Sequence, residues 1–133
     1  MKRIVLDASA VMTLFESRPG VEIIEETIKL AMSAQNELLM SVVNWGEVYY
    51  SSWRTNGRDA AARVIAEIAQ LPIHLVDVNL QQARVAAEFT ALRKIPYADA
   101  FVAALAKEYQ ASILTADKDF SRIRDEVDII WTL

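Results

Sequence analysis

Five short apolar runs limit the folds open to this chain more than any other feature. They occupy residues 3–6, 38–41, 73–76, 112–115 and 128–131. Their apolar residues are consecutive, which suits strands covered on both faces, as in a parallel sheet. Between them lie longer segments rich in Ala, Glu, Arg and Leu with helical spacing, at about 10–16, 21–34, 43–55, 58–71, 80–94 and 98–110. In the fifth of these, Ala83, Ala86, Ala87, Thr90 and Ala91 share one face, with Arg84 and Glu88 elsewhere. Two helical segments follow the run at 38–41, and two follow the run at 73–76. This alternation predicts an α/β fold: a central, mostly parallel sheet of about five strands flanked by helices.

A length of 133 residues suits one domain over 1–133. Only three Gly and three Pro occur, mostly between the patterned segments, so they punctuate one domain rather than mark a linker. No segment approaches the roughly 20 apolar residues of a membrane span. Lys2 and Arg3 precede only three apolar residues before Asp7, whereas a signal peptide needs about 7–15. A cytosolic protein is the expectation.

Ligands in open parallel sheets bind beyond the carboxyl ends of the strands, and acids stand there. Asp7 directly follows Ile4-Val5-Leu6. Asp117 follows Ile113-Leu114-Thr115 after one residue, with Asp119 two further on. Each by itself is equally an ordinary helix cap, and Ser9 is an alternative cap that frees Asp7. Glu47 follows the second run among bulky apolar residues, and by itself is equally an exposed helix acid. Asp99 shares a helical stripe with Val102, Ala103 and Ala106, where a buried charge needs a partner or a metal. It also suits a first helical turn after Pro96, where the helix dipole favours an acid by about 0.3–1 kcal/mol.

Taken together, four acids near strand ends repel one another unless a cation sits among them. The chain has no cysteine and only one histidine, His74. The available ligands are therefore oxygens, which favour Mg²⁺ or Mn²⁺ over zinc. The matching chemistry is phosphodiester hydrolysis by a metal-activated water. His74 lies within an apolar run and reads as a structural histidine.

These residues carry a resemblance. Val5-Leu6-Asp7-Ala8-Ser9-Ala10, Asn44 with Glu47-Val48, residues 96–104 and residues 113–120 come in the order found in PIN-domain ribonucleases. The chain resembles in particular the VapC-type toxins of toxin–antitoxin pairs, over essentially its whole length. The resemblance implies an Mg²⁺- or Mn²⁺-dependent endoribonuclease that cleaves structured RNA. It implies that Asp7, Glu47, Asp99 and Asp117 are the catalytic, metal-binding quartet, with Asp7 and Asp99 as principal ligands. Ser9, Thr115 and Asp119 match supporting positions. It further implies a cytosolic homodimer inhibited by an antitoxin protein. Tyr97 is bulkier than the family's usual residue, and the 120–130 stretch lacks a glycine that relatives often carry.

Arg54, Arg58 and Arg63 follow a run of aromatics, and Arg93 and Lys94 precede Asp99. Of these, Arg54, Arg58, Arg93 and Lys94 are the candidates for holding RNA phosphates; a solvated helix face is the alternative for each. Trp45, Tyr49, Tyr50 and Trp53 recur at helical spacing around Glu47 and read as a core or dimer surface, although an RNA base or an antitoxin helix also suits them. An aspartyl-phosphate enzyme would carry a second acid where Ser9 stands. A non-catalytic RNA- or partner-binding scaffold remains the alternative function.

The charge balance agrees with a metal centre. The chain has 18 Asp and Glu against 14 Lys and Arg, a formal charge of −4. Without the quartet, 18 − 4 leaves 14 acids against 14 bases. The whole excess can thus reside in the site, and the acidic balance argues only against RNA binding by bulk charge.

Overall fold

The computed structural model describes residues 1–133. Its chain runs β1 (Lys2–Leu6), α1 (Ala8–Phe15), α2 (Val21–Met32), β2 (Asn36–Ser41), α3 (Val42–Asn56), α4 (Arg58–Ile68) and β3 (Ile73–Val76). It continues through α5 (Leu80–Arg93), α6 (Tyr97–Tyr109), β4 (Ser112–Thr115), a 3-10 helix (Lys118–Ile123) and β5 (Ile129–Trp131). Every strand pairing is parallel, in the order β3-β2-β1-β4-β5. The α/β architecture, the five strands and the paired helices all stand as the sequence predicts.

Strand side chains alternate between two cores, as the period of two requires. Val5, Leu39 and Ile113 pack with α5, α6 and the residues after β4. Ile4, Leu6, Leu38, Met40 and Leu114 pack with α1 to α4. Because both faces are covered, the central strands read as unbroken apolar runs.

Three expectations need correction. β3 is an edge strand paired only with β2, so His74 and Leu75 are exposed and His74 is not a buried structural residue. On α5 the buried positions are Gln82, Ala86 and Phe89, while Ala87 and Ala91 face solvent. Alanine is too small to mark a face by its apolarity, and α6 selects the packed side. Finally, Asp7 itself caps α1, accepting from the Ala10 N–H at 2.9 Å. Ser9 does not replace it, but donates to it.

β1 is the strand at which the order reverses: β2 and β3 lie to one side, β4 and β5 to the other. The carboxyl ends of β1 and β4 therefore border the crevice of a topological switch point.

Candidate metal centre

Asp7 directly follows β1 and is 2% exposed. Ser9 donates its hydroxyl to both Asp7 oxygens, at 2.8 and 2.9 Å. Thr115, the last residue of β4, donates to Oδ2 at 2.6 Å. Burial nonetheless dominates, pushing the Asp7 carboxyl up to about 6 while bonds from Thr115, Ala10 and Ser9 pull the other way.

Thr115 also fixes the next acid. Its Oγ1 accepts from the Asp117 N–H at 2.8 Å, and the Ala116 N–H donates to Ser9 Oγ at 2.9 Å. Asp117 caps the 3-10 helix through its Oδ1, which accepts from the Asp119 N–H at 2.9 Å. That cap folds Asp119 back towards the site.

Asp99 lies in the first turn of α6, half-buried, with Val102, Ala103 and Ala106 buried on its stripe. Its carboxyl is pushed up to about 8, first by burial and then by the charges of Asp117, Asp7 and Glu47. The helix N-terminus favours a carboxylate there, but the crowd of acids outweighs it. Glu47 projects from α3, where its Oε1 accepts from Asn44 Nδ2 at 2.9 Å. The same amide donates to the Ala98 carbonyl at 3.1 Å, tying α3 to the start of α6. Asn44 is fully buried, and its Oδ1 has no partner.

The carboxylate oxygens of Asp99, Asp117 and Asp119 lie within 4.8 Å of one another. Asp7 and Glu47 stand outside this group of three, yet their charges act on Asp99. Five acids from three separate stretches of chain and one strand end thus share one electrostatic site. The donors are all carboxylate oxygens, a set that suits a hard cation such as Mg²⁺ or Mn²⁺. Sequence reading gave Asp119 only a supporting place and gave Asn44 no role. The usable signals were the Asp-x-Asp spacing of 117 and 119 and the three-residue interval from Asn44 to Glu47.

The basic candidates divide. Arg54 and Arg58 are exposed, with guanidinium carbons 4.9 Å from the Tyr50 ring centre and 5.5 Å from that of Trp53. Arg93 pairs with Asp125 at 2.6 Å and with Glu126, and donates to the Arg122 carbonyl. Lys94 is exposed in the left-handed conformation that ends α5.

No helix is long and apolar enough to cross a membrane. A family model described as "PIN domain" matches residues 4–126. A search of curated proteins finds no match. Among solved structures, a chain of VapBC2 from Rickettsia felis, bound to a promoter DNA fragment, is 14% identical with a TM-score of 0.78, over 96% of this chain and 97% of that one. A chain of DNA-bound VapBC from Salmonella typhimurium is 18% identical with a TM-score of 0.77, over 100% of both chains. VapC20 of Mycobacterium tuberculosis, a sarcin-ricin loop cleaving toxin, is 20% identical with a TM-score of 0.70, over 89% of this chain and 92% of its own.

Proposed function

The chain belongs to the PIN domain family, and on that premise we infer that it is a divalent-metal-dependent endoribonuclease, the toxin of a toxin–antitoxin pair. The observation that carries this reading is the convergence of Asp7, Glu47, Asp99, Asp117 and Asp119 on one crevice. Structural neighbours in VapBC complexes, and VapC20, a sarcin-ricin loop cleaving toxin, support it. An antitoxin protein, a homodimer and a cytosolic setting belong to the same reading.

Asp99, Asp117 and Asp119 stand close enough together to hold the cation directly, with Asp7, a principal ligand by the family resemblance, and Glu47 completing the site directly or through water. A cation bound there supplies a nucleophilic water at neutral pH and offsets charge on the phosphate. The chain's own contribution is orientation. Thr115 and Ser9 fix both oxygens of Asp7. Asn44 aims Glu47 and joins α3 to the turn that carries Asp99. The Asp117 cap holds Asp119 near its neighbours. Such outer contacts typically contribute about 10–100-fold to metal affinity or activity.

An aspartyl-phosphate mechanism fits poorly. Such an enzyme would carry a second acid two residues after Asp7, where Ser9 stands and donates its hydroxyl to both Asp7 oxygens. The test is cleavage of total RNA by the purified chain, freed of any antitoxin, with Mg²⁺ or Mn²⁺ and against Asp7→Asn. Metal-dependent cleavage lost in the variant is expected. Equal cleavage by both proteins, or none by the wild type, overturns the reading.

A further inference from the structure

The flank of α3 that carries Glu47 continues away from the acids as an exposed aromatic and cationic strip. Glu47, Tyr50 and Arg54 stand at i, i+3 and i+7, a spacing that keeps side chains on one flank of a helix. The buried seam of α3, at Asn44, Val48 and Ser52, runs beside them. Trp45, Tyr49 and Trp53 form a separate ladder, with ring centres 5.7 Å apart at each step. Tyr50 is 49% exposed, and Arg54 lies across its ring. At a rise of about 1.5 Å per residue, Tyr50 sits about one turn and Arg54 about two turns along the axis from Glu47.

Charge selects the occupant. The cations that pair with acids in this molecule are Arg3, Arg18, Arg84, Arg93, Lys107 and Arg122. Arg54 is not among them, although the chain as a whole carries a charge of −4. An exposed ring under an arginine that pairs with no acid suits a ligand that has both a flat face and a negative charge. A nucleotide has both. Bases stack on aromatic rings and on arginine planes, and a phosphate oxygen accepts from the guanidinium. Only an unpaired base offers a free face, so the strip suits a single strand rather than a duplex.

We propose that Tyr50 and Arg54 form a single-stranded RNA subsite for the nucleotide flanking the scissile phosphate. The subsite rests on the nuclease reading for what the acids do, and adds how the strand reaches them. The probe is a short unstructured RNA labelled at its 5′ end, followed by fluorescence anisotropy in Mg²⁺. The Asp7→Asn chain, or equally Asp99→Asn, is the background, so that bound RNA is not consumed. Tyr50→Ala is expected to weaken binding about 5- to 100-fold, the usual effect of losing one stacked base. Tyr50→Phe keeps the ring and is expected to bind as the background does. Arg54→Ala is expected to lower the slope of log affinity against log salt by about 0.7, one single-strand phosphate contact. The same RNA annealed to its complement is expected to be insensitive to Tyr50→Ala.

Unchanged single-strand affinity in both variants overturns the subsite and leaves the strip to a protein partner. Equal losses on single strand and duplex overturn it as well. Cleavage by the wild type is read separately. If total RNA is cut but the strip variants bind normally, the nuclease stands and the subsite falls. If Tyr50-dependent single-strand binding occurs without any cutting, RNA binding by the strip stands, while the nuclease reading and the place of the subsite beside a scissile phosphate fall.

Discussion

Thr115 donates its hydroxyl to Asp7 Oδ2 at 2.6 Å and accepts from the Asp117 N–H at 2.8 Å, so one side chain sets the first and last acids of the quartet. The Thr115→Val variant keeps the shape and removes both bonds. This leaves the Asp117 N–H without its partner and Asp7 held by Ser9 and Ala10 alone, and is expected to cost about 1–3 kcal/mol, read by urea unfolding. RNA cleavage is expected to fall about 10–100-fold. Thr115→Ser retains the hydroxyl and should lose much less of both. Equal effects of Val and Ser would show that Thr115 acts by packing alone.

Asn44 offers a sharper separation of positioning from packing. Its amide donates to Glu47 and to the Ala98 carbonyl. Asn44→Ala is expected to weaken Mn²⁺ binding about 10–100-fold by calorimetry, the typical loss of an outer contact. Asn44→Asp is nearly isosteric but replaces the donor with an acceptor beside Glu47. It is expected to be at least as damaging as Asn44→Ala near neutral pH. A milder effect of Asp than of Ala would contradict the positioning role.

The raised carboxyls make a directional prediction for pH. Asp7 is pushed up to about 6 and Asp99 to about 8 in the folded chain, whereas unfolded aspartates titrate near about 4. The folded state therefore binds more protons across this range, and unfolding releases them. Without metal, stability from these groups falls as pH rises from about 4 through about 8. Melting temperatures with chelator present should show this decline, and Asp99→Asn should flatten its upper part. Saturating Mg²⁺ should also flatten it, because the cation takes the place of the protons.

Arg93 and Arg54 are expected to part company in RNA binding. Arg93 is already held by Asp125 and Glu126, whereas Arg54 lies on Tyr50 without an acid. Arg93→Ala should leave the salt dependence of RNA affinity as it is in the parent. A shallower slope in Arg93→Ala would show that its guanidinium reaches phosphate.

Much of this arrangement is legible in the sequence because it depends on local pattern. The runs at 73–76 and 112–115 coincide with β3 and β4, and the segment at 98–110 differs from α6 by one residue at each end. Covered strands leave unbroken apolar runs, and acids placed just after them announce the crevice. What stays hidden depends on distant neighbours. Nothing in residues 73–76 says that β3 has a partner on one side only, so the exposure of His74 is invisible there. The small side chains of α5 give no sign of which stripe α6 will cover. Asp119 joins the centre only because Asp117 caps a 3-10 turn against the end of β4. Tyr50 and Trp45 look alike as members of an aromatic repeat, and their environments part only once α4 has packed.

The central claim is that these acids form one cation site. The most direct measurement is anomalous scattering from a crystal of the full chain soaked in Mn²⁺. The predicted result is a peak between Asp99 and Asp117, about 2 Å from their carboxylate oxygens, with Asp7 and Glu47 turned towards it or towards its waters. A saturating soak that leaves this position empty, or that places manganese only elsewhere on the surface, would contradict it.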